Sequence, residues 1–137
     1  MNMRPQMAKK SNASWGDWLR FLMKESTQLE LKKAAITYLS GKLAAATNGF
    51  DINDVDFKRV QNCFDMKRQE SLFFQGVTYI VKSVTSSQIL AFNGRTYIII
   101  SRTNSMYIFV ICQSRAMSGL AAGWVGRIAD KLVEGKC

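Results

Sequence analysis

Five apolar segments joined by very short links constrain the fold of this chain more than any other feature of its sequence. Each segment is rich in Ile, Val, Leu or aromatic residues. The segments occupy residues 72–74, 77–84, 88–92, 96–102 and 106–113. The links between them hold only two or three residues, among them turn formers such as Gly, Asn and Ser. Parallel strands need a crossover of about a dozen residues or more, so the short links predict an antiparallel meander.

Helical periodicity predicts three helices around this meander. Ser14 and Asp17 have the spacing of a capping box, and apolar residues follow at helical intervals to about Leu29. A second helix is predicted over residues 53–66, behind a start rich in Asn and Asp. Residues 117–132 carry an apolar stripe at i, i+3 and i+4, which predicts a C-terminal helix.

Two shorter apolar runs, at residues 34–39 and 43–47, flank a glycine-containing turn and predict a hairpin between the first two helices. The resulting element order predicts an α+β sandwich, with one antiparallel sheet between helices and the terminal helices side by side on one face. Residues 1–13 are polar and basic and lack periodicity, so we predict a flexible N-terminal arm there. Residues 14–137 are then a single domain.

The 137 residues include no histidine, which bears directly on function. Without histidine, neither a Ser-His-Asp nor a Cys-His arrangement can form, and the commonest general base near neutral pH is missing. The three cysteines lie far apart and cannot supply the four ligands of an ordinary zinc site. We therefore predict a protein that is not an enzyme and has neither a metal nor a cofactor.

The cysteines also bear on the cellular compartment. Cys63, Cys112 and Cys137 are odd in number and form no CxxC pair, which argues against a disulfide framework and favours a reducing environment. No apolar segment follows the basic residues near the N-terminus, so a signal peptide is not predicted. The longest apolar run, residues 106–112, is too short to span a bilayer. We predict a cytoplasmic protein.

The net charge of +9, from 19 Lys and Arg against 10 Asp and Glu, predicts an acidic partner. An acidic protein would satisfy this expectation, and so would the head group of an anionic phosphoinositide. RNA recognition would need aromatic residues interleaved with basic ones on one sheet face. The segment that contains Ile98, Ile99 and Ile100 lacks them, so a nucleic-acid partner is not expected.

Short motifs occur in a fixed order from Ser14 to the end of the chain. They are Ser14-Trp15, Ala34-Ala35-Ile36, Gly41, Ala46, Gly49-Phe50, Leu72, Gly76-Val77-x-Tyr79, Ile99-x-x-Arg102-Thr103 and Val125-x-x-Ile128-Ala129-Asp130-x-Leu132. Together, in this order and spacing, they resemble the profilin family of small actin-monomer-binding proteins. The resemblance implies a monomer that binds one actin, regulates actin polymerisation and belongs to the cytoskeleton.

An actin-binding surface is implied by the resemblance, on the later strands and the start of the last helix. The positions that match it are Arg68, Thr78, Lys82, Asn93, Arg95, Met117, Gly119, Trp124 and Arg127. Two of these replace residues that the family pattern places nearby: Arg95 stands in for a lysine-bearing turn, and Trp124 for an aromatic near Gly126. Positive charge facing acidic actin would raise the association rate and fix orientation.

A separate site for proline-rich peptides is also implied, between the terminal helices. Trp15, Trp18 and Leu132 match the family pattern at this site. The remaining ring-bearing positions of the pattern fall on Ala44, Lys131 and Cys137. Because each aromatic contact contributes on the order of 1 kcal/mol, their loss predicts weak binding of polyproline.

One rival class has a similar order of elements. A roadblock or longin-like light chain or scaffold, which would regulate a small GTPase or a motor, has helix, two strands, helix, three strands and helix. Such domains usually dimerise through a helix and an edge strand, whereas the profilin-like interpretation expects a monomer. The oligomeric state therefore separates the two.

Overall fold

The helices and strands follow the predicted order. The computed structural model describes residues 14–67 and 70–134, so the expectations for residues 1–13, Arg68 and Cys137 lie outside the described part. The elements are α1 Trp15–Met23, α2 Ser26–Leu29, β1 Leu31–Tyr38, β2 Leu43–Ala46, α3 Asp54–Met66, β3 Ser71–Phe74, β4 Val77–Val84, β5 Gln88–Asn93, β6 Thr96–Arg102, β7 Met106–Cys112 and α4 Ser118–Glu134.

The first helix differs from its predicted extent. It ends at Met23, and the short α2 follows, so the prediction of one helix to about Leu29 was wrong. The Lys24 amide bonds to the Phe21 carbonyl only three residues back, which tightens the last turn. The Lys24 ammonium lies 5.4 Å from the ring centroids of both Phe21 and Trp124, so the break places this cation over two aromatic faces.

Side-chain caps confirm two predicted helix starts. The Ser14 hydroxyl accepts a hydrogen bond from the Asp17 amide at 3.1 Å, and the Asp17 carboxylate accepts one from the Ser14 amide at 3.2 Å. The backbone hydrogen bond from Ser14 holds the pKa of Asp17 below its ordinary value. Asn53 caps α3 by accepting a hydrogen bond from the Asp56 amide at 2.7 Å.

The strands form one antiparallel sheet with the order β2-β1-β7-β6-β5-β4-β3. The predicted meander from β3 to β7 is confirmed, and β1 joins it by pairing with β7. Within residues 14–67 and 70–134, the sheet has two edge strands, β2 and β3. None of the helices in this part of the chain is long and apolar enough to cross a membrane.

Helices cover both faces of the sheet, as the sandwich prediction requires. On one face, α1 and α4 bury a core that includes Trp18, Ile99 and Val125. On the other face, α3 buries a core that includes Phe64 and Phe109. Because β6 and β7 are buried on both faces, their sequences are continuous apolar runs without polar alternation.

One buried hydroxyl on the α3 side of the sheet has no hydrogen-bond partner among the described residues, that of Thr37. An unsatisfied buried hydroxyl costs about 1–3 kcal/mol of stability. We expect Thr37→Val to raise the free energy of unfolding by about 1 kcal/mol, because a methyl group replaces the hydroxyl with little change of shape. Urea denaturation measures this change.

Thr47→Val is the matched control for this substitution. The Thr47 hydroxyl accepts a hydrogen bond from the Ala34 amide at 3.1 Å and donates one to the Ala34 carbonyl at 3.3 Å. This replacement should lower the free energy of unfolding, because it removes a hydroxyl that makes two hydrogen bonds, whereas the Thr37 hydroxyl makes none among the described residues. A loss of stability in Thr37→Val would contradict the prediction.

Candidate functional site

Strand β4 has a face that the terminal helices leave uncovered. In the described residues, α1 and α4 pack mainly over β1, β2, β6 and β7. Thr78, Ile80 and Lys82 on β4 are all exposed. We call the surface formed by these three residues, Asn93 and Arg95 the open β4 face.

The open β4 face contains four of the predicted residues, Thr78, Lys82, Asn93 and Arg95, all of them exposed. The Asn93 side-chain amide donates a hydrogen bond to the Thr78 carbonyl at 2.9 Å, which joins the end of β5 to β4. Arg95 is exposed in the turn that follows Asn93. The Lys82 ammonium lies 6.0 Å from the ring centroid of Tyr97, on the neighbouring part of the sheet.

Ile80 lies on this surface, although the sequence analysis did not select it. It stands opposite Phe92 in the β4–β5 register, and 56% of its surface is exposed. A single exposed apolar side chain is common on a protein surface, so Ile80 supports a contact surface only together with the cations around it. No signal in the sequence identified it, because β4 has apolar residues at both odd and even positions and its uncovered face depends on where α4 packs.

The predicted residues on and just before α4 fall into two groups. Gly119 and Arg127 are exposed, and Met117, one residue before the helix, is partly buried. Trp124 is only 6% exposed, and its indole nitrogen donates a hydrogen bond to the Leu22 carbonyl at 2.8 Å. Trp124 therefore joins α4 to α1 and leaves little surface for a partner protein to contact.

The stretch of sequence from β3 to residue 129 of α4 carries positive charges only. Residues 71–129 contain no Asp or Glu. They contain five cations: Lys82, Arg95, Arg102, Arg115 and Arg127. The ion pairs found among the described residues lie on α1, on α3 or in the link after α1, so none of them neutralises this segment.

The residues predicted for the polyproline site lie mostly in the core. Trp18 and Leu132 are buried between the terminal helices and the sheet. Trp15 is only partly buried, and its ring meets the Tyr38 ring edge-on, with 6.1 Å between centroids and 87° between planes. The structure therefore leaves an aromatic pair at the surface, Trp15 with Tyr38.

Tyr38 was missed by the sequence analysis, although the sequence does carry a signal for it. Ala34, Ile36 and Tyr38 alternate along β1, so they point to the same side of the sheet as the terminal helices. Ala44, which occupies an aromatic position of the family pattern, packs against the same core. Tyr38 on β1 therefore supplies an aromatic ring near the position where the family pattern has one on β2, at Ala44.

Comparisons with known proteins identify the fold. A family model described as profilin matches residues 13–137. Acanthamoeba castellanii profilin IB is similar in structure, with a TM-score of 0.75, 21% identity and coverage of 88% of this chain and 99% of that chain. For Schizosaccharomyces pombe profilin the TM-score is 0.74 and the identity 20%, with coverage of 85% of this chain and 97% of that chain. For a chain of the LokiProfilin2/rabbit actin complex the TM-score is 0.67 and the identity 15%, with coverage of 88% of this chain and 96% of that chain. No curated protein matches the sequence.

The solved structures, at 15–21% identity, establish the shared fold. The sheet also departs from the roadblock order, since five strands follow α3 where that class has three. The family model covers the described domain from its first residue to its last. The chain belongs to the profilin family.

Proposed function

We propose that this protein binds monomeric actin one to one and regulates polymerisation, by sequestering monomers, promoting nucleotide exchange or delivering monomers to filament ends. Its role requires no catalysis of its own and belongs to the cytoplasm and cytoskeleton. Family membership supports the proposal. So does the similarity to a profilin that was solved in complex with rabbit actin.

The observation that carries the proposal is the combination of charge and exposed apolar surface on the open β4 face. Ile80 is the exposed apolar residue of this surface, and Lys82 and Arg95 are its exposed cations. Apolar anchors inside a polar rim dominate the free energy of protein association. We assign the contact surface to the open β4 face together with Met117, Gly119 and Arg127, and we leave out the buried Trp124.

The positive charge of this surface favours one orientation of the approaching partner. Lys82, Arg95 and Arg127 are exposed on this surface, and residues 71–129 contain no Asp or Glu, so the surface has a positive potential that attracts an acidic protein. Charges at the rim of an interface mainly raise the association rate and select the orientation. Binding of this protein to actin should therefore weaken as salt screens the surface.

Binding and assembly assays with rabbit actin test the proposal. We expect a one-to-one complex on size exclusion and a changed rate of assembly of pyrene-labelled actin. The free protein should elute as a monomer. Absence of both binding and any change in assembly would refute the actin proposal, and a stable dimer that ignores actin would favour the roadblock alternative.

A second candidate function, binding of proline-rich peptides, is favoured by the aromatic pair of Trp15 and Tyr38. Two rings that meet edge-on at the surface offer apolar faces to the preformed polyproline helix. Tyr38 is 36% exposed, so part of its side chain is accessible to a ligand. We propose a weak polyproline site at this pair, above the buried Trp18 and Leu132.

Replacing Tyr38 with alanine should weaken binding of a proline-rich peptide by about three- to tenfold, because one aromatic contact is lost. Tyr38→Phe should retain most of the affinity, since the ring is kept. Titration of the peptide against tryptophan fluorescence measures both variants. Phe73→Ala is the matched control, because Phe73 is an exposed aromatic on β3, the edge strand farthest from β1 in the sheet. Equal affinities of Tyr38→Ala and the unsubstituted protein would exclude Tyr38 from the site.

We further propose that anionic phosphoinositide head groups bind to the cationic surface. The exposed cations Lys82, Arg95 and Arg127 support this extension. Attraction of basic side chains to an anionic membrane surface falls off within a Debye length, so such binding depends on salt.

A further inference from the structure

Phe73 extends the exposed apolar surface of the open β4 face onto the edge strand β3. It stands opposite Thr78 in the β3–β4 register, so its side chain points to the same side of the sheet as those of Thr78 and Ile80. Side chains that lie diagonally on paired strands are about 7–8 Å apart, within reach of an aromatic ring. Phe73 is 43% exposed, so it and Ile80 form the apolar part of one accessible surface.

The position of Phe73 at the sheet edge leaves its ring without support from a neighbouring strand on one side. In the described part of the chain, β3 pairs with β4 alone and is an edge strand. Exposed side chains without such support exchange rapidly between rotamers. A partner that contacts the ring would have to fix one rotamer, which costs free energy and weakens binding.

Arg59 supplies this support from α3, which packs on the opposite face of the sheet. The central carbon of its guanidinium lies 4.9 Å from the centroid of the Phe73 ring, within the range of a cation–π contact. α3 packs against β3, whereas Phe73 points to the other side of the sheet. The two side chains therefore meet around the outer edge of β3.

A buried carboxylate holds Arg59 in this position. The Arg59 guanidinium donates a hydrogen bond to the Asp56 carboxylate at 3.4 Å, and only 5% of the Asp56 side chain is exposed. Asp56 is itself fixed at the start of α3, where its amide donates to the Asn53 side chain at 2.7 Å. A buried carboxylate without a cation is unfavourable, so Arg59 stays with Asp56 and its guanidinium stays beside the ring.

We propose that Arg59 is a positioning residue of the actin surface, because it holds the Phe73 ring in the orientation that a bound actin monomer contacts. This inference rests on the proposed function and deepens it, since it gives a role in binding to a helix on the opposite face of the sheet. Fixing the ring in advance removes its ordering cost from the free energy of binding. The ion pair of Arg59 with Asp56 adds no net charge, so the contribution of Arg59 to affinity should not depend on salt.

Replacing Arg59 with glutamine tests the proposal. The glutamine amide can still donate to Asp56, but no cation lies beside the Phe73 ring. Arg59→Gln should weaken the binding of rabbit actin monomers about fivefold, at low and at high salt. Arg59→Lys keeps a cation for both partners and should retain most of the affinity. Should the glutamine variant unfold, combining it with Asp56→Asn removes the buried charge as well, and the same fivefold loss is expected.

A double-mutant cycle separates positioning of the ring from a direct contact of Arg59 with actin. Phe73→Ala alone should weaken actin binding about tenfold. In that background Arg59→Gln should cause no further loss, because the ring that Arg59 positions is absent. Lys58→Gln is the matched control, because it removes the neighbouring exposed cation of the same helix and should leave actin binding unchanged.

Each outcome supports or overturns the inference. If Arg59→Gln or Phe73→Ala binds actin as tightly as the unsubstituted protein, the inference fails while the proposed function stands. If Arg59→Gln causes the same loss with and without the Phe73 ring, or a loss that disappears at high salt, Arg59 contacts actin directly and does not act through Phe73. If the unsubstituted protein does not bind actin, the proposed function fails and the inference fails with it.

Discussion

Replacing Ile80 with aspartate is expected to weaken the binding of monomeric actin by about 100-fold, or about 2.7 kcal/mol. The isoleucine is 56% exposed at the centre of the open β4 face, where an interface would bury it. Aspartate removes the apolar contact and adds a charge that must be desolvated next to an acidic partner. Fluorescence or calorimetric titration with actin monomers measures the change.

Val55→Asp is the matched control for this substitution. Val55 is 58% exposed, nearly the same fraction as Ile80, but it lies on α3, which packs on the other face of the sheet. Its replacement should leave actin binding unchanged and should not harm the helix, because an acidic residue suits the first turn. If the two variants bind actin equally well, the open β4 face is not the actin surface.

The framework of the fold could be predicted because its signals are local. Capping residues at Ser14 and Asn53 fix where two helices begin, and the short links fix the meander. The end of α1 could not be predicted, because no Gly or Pro marks it. At that end the Lys24 ammonium lies over the rings of Phe21 and Trp124, and Trp124 is 100 residues further along the chain, beyond the reach of a local pattern.

The location of the exposed surface could not be predicted, because it depends on which strands the helices cover. Ile80 and Ile99 are both isoleucines, and they lie on two strands of one sheet, β4 and β6. Ile99 is buried because α4 lies over β6, whereas the terminal helices pack mainly elsewhere than on β4. Periodicity within a strand reports which residues share a face, but not whether a helix packs on that face. For the same reason the sequence could not show that Trp15 contacts Tyr38 at the surface whereas Trp18 is buried in the core.

Trp124 shows most clearly how burial decides between a structural and a binding role. The resemblance implied a contact with actin at this position, but the ring lies between α4 and α1. Its indole nitrogen donates to the Leu22 carbonyl, and the Phe21 ring is 5.7 Å away between centroids. The two helices that cover this face of the sheet, α1 and α4, are thus joined by this side chain.

Trp124→Ala is therefore expected to lower the free energy of unfolding by about 3–5 kcal/mol, since it opens a cavity and leaves the Leu22 carbonyl without its donor. Urea denaturation measures this loss, and Leu120→Ala on the exposed side of α4 should stay within about 0.5 kcal/mol of the unsubstituted protein. Trp124→Phe should remain folded, with a smaller loss of stability, and should bind actin normally. A stable Trp124→Phe that binds actin at least tenfold more weakly would instead return this residue to the actin surface.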